Sequence, residues 1–251
     1  MTDDEPLEVT GRIPTASNGT YLARIGETVV VYKPVSGEKP LWDFPDGTLA
    51  NREAAAYLVS EVFGWNVVPR TWLRDGPFGI GSVQLWCEPD AEQDAVTLVP
   101  ADVAAAHGGI RVLDGFDERD REVSLLHEDT PALRRMAVFD VVVNNADRKA
   151  AHILAMPDGH RFGVDHGLTF NYEHKLRSVL WGWAGAELNP DELAGVGRVR
   201  EALDGQLGYE LAGLIDEEEL DELAARCDGL VASARLPSPR PGMPAFPWPL
   251  F

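Results

Sequence analysis

Residues 144–167 read NNADRKAAHILAMPDGHRFGVDHG and follow the apolar run MAVFDVVV at 136–143. Acidic, basic, amide and imidazole side chains crowd into this one segment. Its PDG sequence at 157–159 is a turn signal between two short apolar runs, so the segment is expected to contain a hairpin. A hairpin leaves three possibilities open: a solvated surface loop, a histidine-rich metal site, or the phosphate-handling centre of an enzyme.

The composition and charge of the chain narrow the class of protein. Its 251 residues are 45% hydrophobic and 25% charged, as in a globular protein of one large domain or two small lobes. The net charge of −19 argues against nucleic acid or an anionic membrane as a partner, since both select basic surfaces. MTDDEPLE at the start lacks signal-peptide features, and no apolar run approaches the ~20 residues of a membrane span. We therefore expect a cytoplasmic protein whose cysteines, Cys87 and Cys227, are reduced thiols.

The first part of the chain predicts a β-rich lobe with one helix. Runs rich in Thr, Val, Ile and Tyr between turn residues indicate strands, and the Ala-, Leu- and Glu-rich run 49–64 indicates a helix that ends at Gly64. The predicted strands lie at 7–13, 20–25, 28–35, 67–75 and 79–89. A change of composition after Glu88 predicts that this lobe comprises residues 1–88.

The second lobe, residues 89–235, is predicted to be mainly helical. Residues 90–109 are interpreted as loop and short helix, and the hairpin described above provides one pair of strands. The predicted long helices lie at 130–147, 190–207 and 216–236. Residues 236–251 hold too many prolines for a helix, and we expect their aromatic residues to dock this tail on the body. The predicted fold class is α+β with two lobes.

Lys33 ends the third predicted strand, VVVYKP, and Glu53 lies on the helix that follows. Taken singly, Lys33 fits an edge-strand charge that reaches water, and Glu53 fits a solvated helix charge. Taken together, they match the pair by which kinase folds align the cation that holds nucleotide phosphates. The glutamate fixes an ammonium that otherwise moves on a flexible stem. The pair therefore favours a nucleotide-binding lobe.

Residues 144–167 also carry charged side chains at kinase-like intervals. Lys149 comes two residues after Asp147, His152 five residues after it, and Asp165 thirteen residues after His152. Protein kinases follow a catalytic aspartate with a metal-binding asparagine and then with a second, metal-binding aspartate. Phosphoryl transfer needs a carboxylate to orient the attacking hydroxyl, a cation for the phosphoryl group, and further ligands for a divalent metal. The hairpin is expected to bring His152 and Asp165 to the same end of its strands.

DRKAAH at 147–152 and GVDHG at 163–167 resemble the catalytic loop, D-R-x-x-x-N, and the metal-binding aspartate of a known family. This family is the phosphatidylinositol 3-/4-kinase-like branch of the protein-kinase-like fold, especially its small bacterial members. The resemblance extends from about residue 10 to about residue 175, and it rests on the agreement of several motifs at the expected spacing. It implies a kinase with Asp147 as catalytic base, Lys149 as phosphate contact and Asp165 as principal metal ligand.

The same resemblance implies where ATP binds. Lys33 and Glu53 match the ATP-binding lysine and its partner. ASNGTYLARI, which includes Asn18 and Gly19, looks like the turn that covers the phosphates, although it lacks a G-x-G-x-x-G sequence. VQLWCEP looks like the hinge that binds adenine through backbone groups. The hinge residues expected nearest to the nucleotide are Gln84, Leu85, Trp86 and Cys87.

His152 departs from the family pattern, because it stands where the family has a metal-binding asparagine. Imidazole favours softer ions than magnesium, so the expected cofactors are ATP with Mg²⁺ or Mn²⁺, and the histidine makes manganese more plausible. Alternatively, the second metal is lost and catalysis is weak. Asn144 and Asn145, just before the loop, either supply an amide ligand or end the helix.

Three functions are compatible with these residues. The first is an ATP-dependent phosphotransferase acting on a soluble small molecule or a protein hydroxyl, because so acidic a chain suits a lipid head group poorly. The second is a pseudokinase that binds nucleotide without transferring phosphate, which His152 and the abbreviated glycine turn favour. The third is a metal-dependent phosphohydrolase built on Asp147, His152, Asp165 and His166, although the chain lacks the further ligand helices expected for it. The spacing does not identify the phosphate acceptor.

Overall fold

The first strands of the chain form one antiparallel sheet in the order β1-β2-β3-β5-β4. The structure, a computed structural model, describes residues 5–14, 18–39, 41, 44 and 48–251. The strands are β1 Leu7–Arg12, β2 Tyr21–Ile25, β3 Thr28–Pro34, β4 Thr71–Gly76 and β5 Gly79–Leu85. All five predicted strands are confirmed, and β3, with Lys33 near its end, lies in the middle of the sheet.

The alternation of side chains along β3 decides where Lys33 points. Val30 and Tyr32 are fully buried and pack with Val83 and other apolar residues of the sheet. Successive side chains of a strand lie on opposite faces, so Lys33 lies on the other face from Val30 and Tyr32. The helix α1, Leu49–Phe63, covers that other face and ends at Gly64, which adopts a left-handed conformation with φ 71° as predicted for its C-cap.

A second sheet, in the order β6-β8-β7, follows the first. It comprises β6 Val96–Pro100, β7 Ile110–Phe116 and β8 Glu122–His127, with the short helix α2, Ala104–His107, between β6 and β7. The prediction of loop and short helix for 90–109 is therefore wrong for β6 and confirmed for α2. The middle strand β8 buries the consecutive residues Leu125 and Leu126. Burial on both faces removes the alternation by which a strand is recognised in a sequence.

The regular elements of the remaining part of the chain are helices and one hairpin, and irregular segments such as residues 164–180 join them. The helices are α3 Pro131–Val142, α4 Pro190–Leu203, α5 Gln206–Leu211 and α6 Glu217–Ser233, and the hairpin pairs β9 Ile153–Ala155 with β10 Arg161–Gly163. Thr130 caps α3 by accepting from Leu133 N, and Asn189 and Asp216 form capping boxes at α4 and α6. The predicted helix at 190–207 divides into α4 and α5 because Gly205 leaves the helical conformation. The other helices and the hairpin are confirmed.

The core joins α1 to the helices of the second half. Buried residues of α1 lie in the same apolar cluster as residues of α3, α4 and α6, whereas the first sheet has its own smaller cluster. The α+β fold class is confirmed, and the division at residue 88 stays a prediction. Within the described residues, no helix is long and apolar enough to cross a membrane.

The tail docks on the second half through backbone groups. The carbonyl oxygen of Ala245 accepts from Ser178 N at 3.0 Å and from Trp181 Nε1 at 2.7 Å. The carbonyl oxygen of Leu250 accepts from Ala150 N at 2.9 Å, directly on the loop that follows Asp147. Docking by aromatic side chains is wrong for Trp248, which is 87% exposed. That residues 236–251 form a separate unit stays a prediction, as does the boundary at residue 88.

Candidate active site

Lys33 lies between two carboxylates from different parts of the chain. Its Nζ donates to Glu53 Oε1 on α1 and, at 2.8 Å, to Oδ1 of Asp165, which follows β10. The Glu53 side chain is only 3% exposed, whereas that of Asp165 is 52% exposed and is open to a ligand. The structure therefore brings together three residues predicted from separate segments. Their roles in nucleotide and metal binding stay predictions.

The charges of this group stabilise one another. Burial disfavours the charged form of Lys33, but Asp165 and Glu53 outweigh burial and raise the pKa of Lys33. Lys33 in turn lowers the pKa of Asp165. Burial raises the pKa of Glu53, and Lys33 opposes that shift. Lys33 and Asp165 are therefore both charged at neutral pH, the state in which they can bind a phosphate and a cation.

Asp165 sits in an unusual backbone conformation, with φ 60°. Residues other than glycine seldom adopt the left-handed region, although aspartate tolerates it better than most. The next amide, His166 N, donates to Glu53 Oε2 at 3.1 Å. Glu53 therefore binds the Lys33 ammonium with one oxygen and holds the turn after Asp165 with the other.

His152 reaches the same place from the other side. Its Nδ1 lies 2.9 Å from the carbonyl oxygen of Asp147, so Nδ1 carries the proton and donates it. Its Nε2 then faces Asp165 Oδ2 at 3.3 Å. Burial lowers the pKa of His152, and the neutral ring presents a lone pair at Nε2. The hairpin β9–β10 thus brings His152 and Asp165 together, as the spacing predicts.

Asp147 and Lys149 form a pair beside this group. Lys149 Nζ lies 2.9 Å from Asp147 Oδ2, and both side chains are about one-fifth exposed, at 18% and 19%. The N–H of Asp147 donates to Asn145 Oδ1 at 2.9 Å, which fixes the start of the loop. Burial raises the pKa of Asp147, and Lys149 opposes the shift. Asp165 also raises that pKa, so the charges of Asp147 and Asp165 interact.

Arg148 is fully buried and connects the backbone at His152 with the backbone just before Asp165. It binds both carboxylate oxygens of Asp140 at 2.8 Å. Its Nη1 donates to the carbonyl oxygens of His152 and Val164, at 3.1 and 3.3 Å. Its Nη2 donates to Nε2 of His166 at 2.7 Å. One guanidinium therefore holds the backbone on both sides of the hairpin, at His152 and immediately before Asp165.

Three further side chains near the loop have structural partners. The Asn144 amide donates to the carbonyl oxygens of Asn171 and Glu173, and the Asn145 amide donates to Asp140. His166 is fully buried, and burial followed by Arg148 lowers its pKa well below the usual value. In this structure Asn144 and Asn145 thus support the loop. The hydrolase hypothesis loses one ligand, since His166 binds Arg148.

The turn expected over the phosphates is packed against the segment after β3. Gly19 N donates to Gly37 O at 3.0 Å, and Asn18 Oδ1 accepts from Lys39 N at 3.1 Å. A Cβ on Gly19 would lie 3.1 Å from Gly37 Cα, so the two backbones need glycine at this contact. Residues 16 and 17 of the predicted turn lie outside the described residues. The amide of Gly19 is thus engaged within the chain, and its phosphate contact stays a prediction.

The predicted hinge lies partly in the first sheet, since β5 ends at Leu85, and partly beyond it. Gln84 and Leu85 belong to β5, and the Gln84 side chain donates to Thr71 Oγ1 at 2.8 Å. Trp86 N donates to Val29 O at 3.1 Å. The N–H of Cys87 makes no backbone hydrogen bond within the described part of the chain. Cys87 is therefore the hinge residue best placed to offer a backbone donor to a nucleotide base.

The side chains of His152 and Asp165 fit a divalent cation that takes its other ligands from a phosphate group. His152 Nε2 and Asp165 Oδ2 face each other, and both are acceptors when the ring is neutral. A proton or a cation between them makes this contact favourable. The described residues contain no group of three or more His, Cys, Asp or Glu side chains that could hold a metal alone. Mg²⁺ and Mn²⁺ sites in phosphotransferases complete such partial sets with phosphate and water oxygens.

Two arginines of structural importance were not singled out from the sequence. Arg148 was visible only as the second letter of the D-R motif, and Arg52 only as the neighbour of Glu53. For Arg52 the available signal is the apolar run that follows it in α1, because a charge within such a run needs a buried partner. Arg148 lies between Asp147 and Lys149, so the sequence around it gives no such signal. Apart from the candidate site, a groove of about 590 Å³ lies between the N-terminal ends of α3 and α4. Its two arginines, Arg134 and Arg135, form ion pairs with Glu192 and Asp191.

Two solved structures are similar to the chain at low identity, and no model of a described protein family matches it. The Helicobacter pylori proinflammatory kinase CtkA is 12% identical, with a TM-score of 0.47 over 92% of this chain and 93% of that chain. HipA in the toxin–antitoxin complex of Shewanella oneidensis MR-1 is 13% identical, with a TM-score of 0.38 over 90% and 65%. At such scores neither likeness bears on function.

A relative from Mycobacterium tuberculosis (strain ATCC 25618 / H37Rv) matches nearly the whole chain. Protein Rv2133c is 48% identical over 262 aligned residues, which cover 99% of this chain and 93% of the relative. An identity of this size over the full length places both chains in one family. The chain belongs to the family of Protein Rv2133c.

Proposed function

We propose that this protein is a metal-dependent phosphotransferase that moves the γ-phosphoryl group of ATP to a hydroxyl group. The observation that carries the proposal is the position of Lys33 between Glu53 and Asp165. In phosphoryl transfer a protein contributes mainly alignment and charge, and an ammonium held by a helix glutamate beside a metal-binding aspartate supplies both. A purely structural ion pair has no need of a half-exposed third member such as Asp165.

Asp147 is the residue assigned to the acceptor hydroxyl. Its carboxylate lies on the same loop as His152 and close enough to Asp165 for the two charges to interact. Lys149, at 2.9 Å, keeps that carboxylate oriented and offers a cation to the phosphoryl group in transfer. In this assignment Asp147 orients the hydroxyl and accepts its proton, and Lys149 and Lys33 bind phosphate oxygens from two sides.

His152 and Asp165 are assigned to the metal. The lone pair of His152 Nε2 and a carboxylate oxygen of Asp165 are the two protein ligands, and Asp147 O fixes the ring that offers the first. The metal, when bound, neutralises charge on the phosphates. A nitrogen ligand favours Mn²⁺ over Mg²⁺, because carboxylate and water oxygens suit magnesium better than imidazole does.

We further propose that the chain is related to the phosphatidylinositol 3-/4-kinase-like branch, and that its acceptor is a soluble small molecule or a protein. The loop DRKAAH matches D-R-x-x-x-N in all but its last position. The net charge of −19 disfavours a lipid in an anionic membrane. The same charge disfavours nucleic acid as a partner, and the cytoplasmic location stays an expectation from the sequence.

A pseudokinase is the second candidate, and two observations favour it. His152 replaces the family's asparagine, and the Gly19 amide donates to Gly37 O instead of being free for a phosphate. A pseudokinase and a kinase differ in turnover and not in nucleotide binding.

The deciding experiment combines binding with transfer. The protein is incubated with γ-labelled ATP, Mg²⁺ or Mn²⁺ and a cell extract, and ATP affinity is measured separately by calorimetry. A kinase binds ATP with metal and labels a product, and Asp147→Asn abolishes labelling but leaves ATP affinity within about threefold. Binding without a labelled product selects the pseudokinase. Failure to bind ATP with either metal refutes both.

A further inference from the structure

The helix that carries Glu53 is built into the helical core of the second half. Its buried residues Ala55, Ala56, Val59 and Phe63 belong to the apolar cluster that also contains residues of α3, α4 and α6. In kinases the position of the corresponding helix decides whether its glutamate reaches the lysine. The contacts that fix α1 therefore bear directly on the candidate active site.

Arg52, the neighbour of Glu53, makes a buried ionic contact with α6. Its Nη1 lies 2.7 Å from Glu219 Oε1 on α6 and donates to the carbonyl oxygen of Thr169 at 2.6 Å. Both side chains are 5% exposed, and the ring of Phe44 covers the guanidinium at 5.2 Å. Burial of this kind makes the pair sensitive to geometry, because either charge left alone is costly.

Arg52 and Glu53 hold the two ends of one short segment. Glu53 Oε2 accepts from His166 N at 3.1 Å, and Arg52 donates to Thr169 O. Within the segment, Thr169 Oγ1 donates to His166 O at 2.7 Å. Two consecutive helix residues thus clamp residues 166–169, which directly follow Asp165. Movement of α1 and movement of this segment are coupled by these hydrogen bonds.

Glu219 binds Arg52 to the first turn of α6. Its other oxygen, Oε2, accepts from Asp216 N at 3.2 Å and completes the capping box at the start of α6. Both carboxylate oxygens of Glu219 are therefore engaged. A side chain held at the first turn of a helix has little freedom to follow a moving partner.

We propose that Arg52 is a positioning residue, which through Glu219 and Thr169 holds Glu53 against Lys33 and keeps the segment after Asp165 in place. The site is thereby assembled without an activating event, since α1 is already fixed in the position that pairs Glu53 with Lys33. The catalytic consequence rests on the proposed function, whereas the structural consequence does not.

The test uses a double variant that removes both charges, Arg52→Met with Glu219→Met. Replacing a buried pair by apolar residues leaves no orphaned charge, so the variant is expected to fold. Arg198→Met is the matched control. Arg198 also binds α1, through Phe63 O at 2.6 Å, but at the end of the helix distant from Glu53.

Hydrogen exchange at the His166 amide gives a readout that needs no activity. This amide donates to Glu53 Oε2 in the structure, and its exchange is expected to accelerate at least about tenfold in the double variant and to stay unchanged in Arg198→Met. Unchanged exchange in a folded double variant overturns the proposal. If the double variant does not fold, Arg52→Lys takes its place, because it keeps a positive charge but replaces the guanidinium by one ammonium. Faster exchange of the His166 amide in this variant then supports the proposal, and unchanged exchange overturns it.

Kinetics separate positioning from loss of folded protein. Displacement of Glu53 loosens Lys33, so the double variant should show a KM for ATP raised about tenfold or more, together with a lower kcat. Loss of folded protein alone lowers kcat and leaves KM unchanged, which would contradict a positioning role. If the unaltered protein transfers no phosphate, the proposed function fails while the exchange experiment still decides the role of Arg52.

Discussion

His152 Nδ1 donates to the carbonyl oxygen of Asp147 at 2.9 Å, and this bond turns Nε2 of the ring towards the Asp165 carboxylate. The residue assigned to the hydroxyl acceptor thereby fixes the residue assigned to the metal. A substitution at His152 is expected to alter which metal binds and leave the fold intact, because the ring belongs to the proposed metal site and not to the apolar core.

His152→Asn should shift the metal preference towards magnesium. An amide oxygen suits Mg²⁺, and loss of the nitrogen ligand should weaken Mn²⁺ binding in the presence of ATP by about tenfold or more. Electron paramagnetic resonance measures free Mn²⁺ directly, and competition with Mg²⁺ gives the ratio of affinities. An unchanged ratio would show that His152 is no metal ligand. His107→Asn, at an exposed histidine, is the control.

Lys33→Met should weaken ATP binding by about tenfold to a hundredfold. A hydrogen bond to a charged group contributes about 1.5–3 kcal/mol, and the variant loses this bond to the phosphates. Lys39→Met is the matched control, since Lys39 is exposed and only its backbone N–H contacts Asn18. Calorimetry with ATP and Mn²⁺ measures both. Equal affinities for the two variants would remove Lys33 from the nucleotide site.

Arg148→Met should destabilise the protein by about 3–5 kcal/mol, because the buried Asp140 carboxylate keeps the Asn145 amide as a partner but loses its counter-charge. Urea unfolding measures the loss, and Arg235→Met serves as the control. Arg235 pairs with Glu187 at the surface, where their side chains are 53% and 75% exposed, so its loss should cost about 1 kcal/mol or less. Arg148→Met with Asp140→Leu should regain stability but bind Mn²⁺ poorly, since the carbonyl oxygens of His152 and Val164 no longer accept from Arg148.

His174 should make the protein sensitive to mild acid. Burial, then Arg240 and Arg226, lower the pKa of His174 to about 4, whereas the unfolded chain has the ordinary histidine value of about 6.5. As pH falls from 6.5 towards 4, the unfolded state takes up a proton that the folded state refuses, so stability falls. His174→Gln should remove this part of the loss, and urea unfolding from pH 8 to pH 4.5 should show the two proteins diverging below about 6.5. Parallel curves would contradict the shifted pKa.

Much of the fold was predictable because its local signals agree. The helix α1 has a run of alanine and leucine and ends at Gly64, and the helix α3 starts with Thr130 and a proline. The hairpin β9–β10 follows from its PDG turn. The sheet β6–β8–β7 was not predictable, because β8 is buried on both faces and its pairing with β6 joins segments that β7 separates in the sequence. Alternation, the usual sign of a strand, is absent there.

The candidate site, like the fold, was predictable only in part. Spacing was enough to select Asp147 and Asp165, which follow the order of a catalytic loop and its hairpin. Lys33 and Glu53 could be selected because they match the strand lysine and helix glutamate of kinase folds. Spacing could not show that the neighbours of two of them, Arg52 and Arg148, are buried and hold the site together. Burial of a charge depends on a partner far away in the sequence, as Glu219 is from Arg52.

The hydrogen bond between Ala150 and Leu250 has a consequence for biosynthesis. The two residues are separated by 100 positions, and ribosomes add about 5–20 residues per second, so about 5–20 s pass between their incorporation. A nascent chain therefore contains Asp147 and Asp165 well before it contains the carbonyl group that holds the loop between them. Chains released early carry every charged residue of the site and lack this last support of the loop.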